Sequence, residues 1–276
     1  FKNSPFRKLC IATFFIFNAF NTVAGFTFFI VVYYLFNGDA GAAGVWPTLH
    51  GSVGAICTSF LVIPILSFMA QKIGKKNTFI ISQAVSVVGY ILFWFLFIPG
   101  KPYMFLFALP FFSFGIGGLF TLMMSMTADV CDLDELENGL PRKEGSFGAI
   151  YWWMVKVGFG IAGALSGVII TFVGFNPDLA TVDQQSAVDG IHKFFCFFPM
   201  AGTILAMLVM RDYSITEVKA KETTNALKKV KSKNFTKQIA FNLIPLTQTL
   251  SCSDCKPRVI PITIIISYYL VIFIHK

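Results

Sequence analysis

Long apolar runs divided by short polar connectors set the pattern of this chain. Six runs stand out, at about 10–36, 43–70, 78–99, 104–127, 147–174 and 191–210. Each holds about 20 residues or more, enough at roughly 1.5 Å per residue to cross about 30 Å of hydrocarbon. The pattern predicts an all-α membrane protein, a six-helix bundle over residues 1–211. Composition agrees: 55% of the 276 residues are hydrophobic and 33 are Phe, with a mean hydropathy of +0.70. A soluble domain of this size has too small a core to hold that much apolar surface.

The connectors alternate in charge. Lys2, Arg7 and Lys8 precede the first run, Lys72, Lys75 and Lys76 separate the second and third, and Arg142 and Lys143 separate the fourth and fifth. The other connectors hold Lys101 and Lys193 with Asp39, Asp178, Asp183 and Asp189. By the positive-inside rule both ends of the six-helix unit are expected in the cytoplasm of a plasma or bacterial inner membrane. Most of the net charge of +8 sits in the polar tail after Met210, which includes the basic tail 212–238, where it suits the lipid surface, and it gives no reason to expect nucleic acid. The tail's first part reads as an amphipathic surface helix, and its sequon Asn234-Phe235-Thr236 is expected to stay unglycosylated on the cytoplasmic side. Residues 239–276 form a tail of unassigned nature. Its run 259–274 is about 24 Å long as a helix, short for a span. The chain starts at Phe1 without a signal peptide, as expected of a truncated N-terminus.

Little here points to catalysis. Six cysteines form no disulfide framework, and Cys252-x-x-Cys255 lacks the second pair of a zinc site. No nucleophile–His–acid set, phosphate loop or metal-ligand cluster is present, so no enzyme is expected.

The informative residues are polar ones inside the runs. A charge at mid-span costs about 2.5–3.5 kcal/mol to insert. Lys156 lies about 16 Å from Gly145 along its helix, near the midplane. Helical stepping places it with Gly148, Trp152, Gly160, Gly163 and Gly167, opposite Ile150, Val157, Ile161, Leu165 and Val168. The glycines suggest close helix approach, with Lys156 directed into the bundle toward a water-filled cavity or an ion-pair partner. Asn18, Asn21, Thr22 and Gly25 make a similar stripe in the first run, suited to a cavity wall or to interhelical hydrogen bonds. Gln83, Ser86, Tyr90, Ser113 and Thr121 fit interhelical bonding, and His50 beside Trp46 fits an interfacial histidine. No carboxylate lies deep in any run, so a coupling cation has no evident site in this unit.

ADVCDLDELENGLPRKEGSFG, residues 128–148, is the most charged connector. Its first part suits a short surface helix with acids at the N-terminal end, where the macrodipole favours them. Its ion pairs suit either a solvated loop or a gate.

This loop and the helix after it, to Gly158, closely resemble those of the glycoside–pentoside–hexuronide:cation symporters, the melibiose-permease-like branch of the major facilitator superfamily. KNSPFRKL resembles the segment before their seventh helix. AQKIGKKN resembles the superfamily's short basic loop, with Gly74, Lys75 and Lys76 in place and Gln71 where an acid is usual. The resemblance runs from about Lys2 to Ala220. It implies the C-terminal half of a twelve-helix transporter, helices seven to twelve, whose cation site and main sugar-binding residues lie in the N-terminal half. It also implies that Lys156 lines the central cavity, and that Asp129, Asp132, Glu135 and Arg142, with Lys75 and Lys76, form a cytoplasmic gate.

The expected function is cation-coupled (Na+ or H+) symport of sugars or glycosides by alternating access, with Lys156, Trp152, Asn18 and Asn21 facing the substrate. Expected partners are a small sugar or glycoside, membrane lipid and the N-terminal half. Transport of lysophospholipid or another anionic solute on the same scaffold is the alternative, as is a non-transporting membrane fragment.

Overall fold

The computed structural model describes residues 3–139, 142–176, 179 and 181–250, with the side chains of 182 and 235–250 not described. Six helical stretches are long and apolar enough to cross a membrane: Ser4–Leu35, Ala40–Ile73, Lys75–Leu96, Pro102–Asn138, Glu144–Phe172 and Gln185–Arg211. The chain is an integral membrane protein, and no strand occurs among the described residues.

The first span is α1 (Ser4–Phe29) continued by a π-helical turn, Ile30–Leu35. Asn3 caps it, its side chain accepting from the Phe6 N–H at 3.1 Å, and Pro5 supplies the fixed φ that a first helical turn tolerates. The helix ends at Asn37, in the left-handed region with φ 53°, and Gly38. The second span strings together α2 (Ala40–Ala43), α3 (Trp46–Ile56), a π turn at Cys57–Val62 and α4 (Ile63–Ile73). Gly74, at φ 83°, turns the chain directly into α5 (Lys75–Leu96), the third span. The fourth combines a 3₁₀ turn (Pro102–Phe107), α6 (Leu109–Gly118), a π turn (Leu119–Met123) and α7 (Met124–Asn138). The fifth and sixth are α8 (Glu144–Phe172) and α9 (Gln185–Arg211), the latter with Pro199 inside it. A final helix, α10 (Glu217–Leu250), follows; from Ala226 the chain belongs to a second compact unit. The apolar run 259–274 lies outside the described residues.

Helix α1 packs against both α8 and α9, while α5 packs against α6 and α9. The contacts are made where side chains are smallest. A Cβ on Gly89 of α5 would stand 2.5 Å from the Phe112 nitrogen of α6. In return, Ser82 and Ser86 of α5 fill the space that Cβ atoms would need on Gly118 and Gly115. Gly202 of α9 approaches the Phe15 carbonyl of α1, and Gly117 approaches Val62. Lipid chains are as apolar as these helices, so such close packing, with hydrogen bonds, holds spans together. Gln83 donates to the Gly115 carbonyl (3.0 Å), Ser86 to Phe112 (3.3 Å) and Ser113 to Gly54 (3.1 Å). The interhelical bonding expected of these three is present.

One expectation needs correction. The acidic stretch after residue 128 forms no separate surface helix: α7 runs unbroken to Asn138, so its acids occupy the C-terminal turns. Apolar contacts of Val130 and Leu133 with the core carry the helix on. His50, near the start of the second span, is 6% exposed, with its ring 5.6–6.0 Å from those of Phe93, Phe105 and Phe112.

Gly89→Ala is expected to lower stability by about 1–3 kcal/mol, because backbone must move to admit the methyl. Gly163→Ala, with open space around it, should be neutral or slightly stabilising. Thermal unfolding of both in detergent checks the contrast.

Candidate functional site

Helix α8 shows three faces. Tyr151, Val155, Gly158, Ala162, Ser166 and Ile169 are buried against the unit. Ile161, Val168 and Phe172 are exposed on a second, apolar face. Lys156 lies on the third, about a third of a turn from the buried one. Trp152 is 46% exposed there, and around Gly160, Gly163 and Gly167 a Cβ would find nothing within 4 Å.

The glycine face is therefore not the packing face of this unit. The close approach to α1 is made instead by Gly158, whose Cβ would lie 3.3 Å from that of Phe17. Helical periodicity alone could not choose between the two glycine-bearing faces, since both follow the same spacing. Lys156 is exposed, and no carboxylate among the described residues pairs with it.

The asparagines of α1 divide. Asn18 is buried and donates to the Gly158 carbonyl at 3.5 Å, so it ties α1 to α8 and does not open to a cavity. Asn21 is half-buried, its amide donating to the Phe17 carbonyl at 2.7 Å. Beside it Ala24, Gly25 and Phe28 are exposed. Gly25 meets Ser166 as Asn18 meets Gly158, so α1 and α8 run parallel in register. On that register Asn21 stands about 7 Å beyond Lys156 along the bundle.

On the other side of Phe20 and Ala24 lies a cavity of about 630 Å³ between the first, second and fourth spans. His50, Thr58 and Phe112 line it. Sequence reasoning singled out His50 but missed the cavity. The available signal was the polar run Cys57-Thr58-Ser59 in the middle of an apolar span.

The second cluster sits at the end of the bundle bearing Lys8, Lys75 and Arg142. Lys75 Nζ lies 2.7 Å from both carboxylate oxygens of Asp129. Arg142 bridges Asp132 and Glu144 at 3.2 Å each, and Lys143 reaches Asp134 at 3.5 Å. Glu135 is buried. Lys76 pairs with no acid among the described residues but donates to the Tyr213 carbonyl at 3.0 Å, as Lys8 does to the Asp212 carbonyl at 2.6 Å. The segment after α9 is thus pinned to the starts of α1 and α5. Thr224 adds a bond to Asp132 (3.4 Å), and Glu217 packs over Gly74. Burial, with the nearby Asp129 charge adding to it, raises the pKa of the Tyr213 hydroxyl, which stays neutral. Asp129, Asp132 and Asp134 oppose the dipole of the helix that carries them, and the three cations facing them offset that penalty.

Residues 1–217 match the family described as MFS/sugar transport protein. The chain belongs to that family. It is 28% identical over 221 residues to a glucuronide carrier protein homolog of Escherichia coli, a match covering 80% of this chain and 46% of that protein. It is 27% identical over 176 residues to an isoprimeverose transporter of Lactiplantibacillus pentosus, covering 61% and 35%. The chain spans less than half the length of the curated relatives it matches. Its architecture is that of a six-helix half of the fold.

Lys75→Ala leaves Asp129 facing its neighbouring acids in a mostly buried site and is expected to cost about 1–3 kcal/mol. Adding Asp129→Asn should restore most of that loss. A double-mutant cycle on thermal stability measures the coupling.

Proposed function

We propose that this chain is the C-terminal half of a symporter that couples a cation, Na+ or H+, to the movement of sugars or glycosides by alternating access. One observation carries the reading. Lys156, mid-span, stands exposed beside Trp152 on a face that the rest of the unit leaves open. A charge at that depth demands water, a substrate or a carboxylate opposite it. Membership in a sugar-transport family makes the other half and a polar solute the natural occupants of that face.

In this reading Lys156 donates charge-assisted hydrogen bonds to sugar hydroxyls or an acid group, Trp152 offers a flat apolar surface, and Asn21 extends the polar strip. Asn18 holds α1 to α8 and so keeps the strip in register. The coupling cation binds in the other half. Both ends of the six-helix unit face the cytoplasm, so the Lys75–Asp129 and Arg142–Asp132 pairs close the inner side and break as the halves rock.

The test is uptake of labelled sugars and glycosides by cells making the full-length protein, with and without sodium and proton gradients. Gradient-dependent uptake supports the reading, and uptake indifferent to either gradient overturns the coupling. Lys156→Ala should lower uptake about tenfold or more with expression unchanged, and Lys156→Arg should recover part of it. Unaltered kinetics in Lys156→Ala would remove Lys156 from the substrate path.

A further inference from the structure

Beside the Lys75–Asp129 pair, two buried polar atoms stand idle. The hydroxyl of Tyr213 makes no hydrogen bond among the described residues, although the residue is only 2% exposed. Glu217 meets Lys221 through Oε1 at 3.5 Å, while its Oε2 is buried and unbonded among the described residues. A buried donor or acceptor without a partner costs its full desolvation penalty, so native structures rarely keep one. Here an idle donor and an idle acceptor flank the same ion pair.

Local structure holds both in place. Gly74, at φ 83°, turns α4 straight into α5, so Lys75 begins its helix against whatever covers that turn. Glu217 covers it, its Cβ lying 3.2 Å from where a Cβ on Gly74 would stand. The flexible four-carbon stem of Lys75 therefore has Glu217 beside its root and Asp129 at its tip. Tyr213 is fixed nearby by Lys76, whose Nζ donates to its carbonyl at 3.0 Å, and by burial in the core cluster that also holds Ile215 and Ala220. The Asp129 charge acts on both the Tyr213 hydroxyl and Glu217. Glu217 thus faces a like charge while Lys75 stays on Asp129.

The idle atoms are complementary to the two ends of the pair. A free carboxylate oxygen suits an ammonium that leaves, and a free hydroxyl suits the carboxylate left behind. Resting on the transporter reading above, we propose that Tyr213 and Glu217 are the second seats of this gate contact: as it opens, Lys75 passes from Asp129 to Glu217, and the Tyr213 hydroxyl donates to Asp129. One ion pair becomes one ion pair and one charge-assisted hydrogen bond. The exchange needs only side-chain rotation. It leaves no charge bare in a partly buried site, the cost that otherwise holds such a pair shut. The tie between the third and fourth spans is released, and a tie from α5 to the segment after α9 replaces it.

The experiment measures uptake of labelled methyl glycosides of glucose, galactose, xylose and glucuronic acid by the full-length protein, with Tyr213→Phe and Glu217→Gln beside the wild type. Each substitution removes a group that is idle in the closed pairing and used in the open one. For the glycoside that is carried, each should lower kcat about fivefold. The purified protein's affinity for that glycoside should be unchanged, and its thermal stability unchanged or raised. In a background of Lys75→Ala with Asp129→Asn no charge is left to exchange, and neither substitution should slow uptake further. Wild-type kcat in either single variant overturns the proposal. So does slowing that comes with lowered thermal stability, the result if these residues only brace the fold, and so does equal slowing in the doubly substituted background. A wild type that carries no sugar or glycoside overturns the transporter reading and this exchange with it, an outcome distinct from a working carrier whose variants run at full rate.

Discussion

Close backbone approach at small residues is the constraint on which the rest of this structure depends. In lipid, burial of apolar side chains gives helices no reason to prefer one another over solvent, so association rests on dispersion and interhelical hydrogen bonds. Gly89 against Phe112, Gly115 and Gly118 against the serines of α5, and Gly158 against Phe17 let the backbones come near enough for both. The bonds from Gln83, Ser86 and Asn18 to carbonyls of the facing helices are possible only at that distance.

Where that approach is missing, the unit stays open. The fifth span touches the unit through one face and carries Lys156 on another, and the second span is the least buried of the six. Those two half-packed spans border the polar strip and the apolar cavity. A site for a solute that enters and leaves needs such walls, because a fully interdigitated bundle has no space to yield. The third and sixth spans, joined to α1 and α6 by tight contacts, supply the rigid back that keeps the strip and cavity in register.

The charged end of the bundle obeys a different balance. Acids crowd the C-terminal turns of α7, where both their mutual repulsion and the helix dipole are unfavourable. Three cations from two other segments compensate, and the Arg142 and Lys143 pairs are partly exposed, so those two contribute modestly and can be broken at modest cost. An arrangement of this kind suits a contact that must open and close. The bonds from Lys8 and Lys76 to main-chain carbonyls after α9 are of another sort, fixing a segment irrespective of acidic partners.

Sequence by itself determined that six spans exist, because only a run of about 20 apolar residues can cross hydrocarbon with every backbone group bonded internally. It also marked Lys156 as a charge that needs compensation and supplied the family through the loop before it. It could not decide which face of α8 packs, since Gly158 and the Gly160–Gly163–Gly167 stripe both offer helical spacing and only the neighbour α1 selects between them. Nor could it tell that Asn18 bonds across to α8 while Asn21, one turn on, borders open space. The cavity was invisible for the same reason. It is made of residues from three spans that are far apart in the chain, and a void belongs to the packing between helices, not to any one of them.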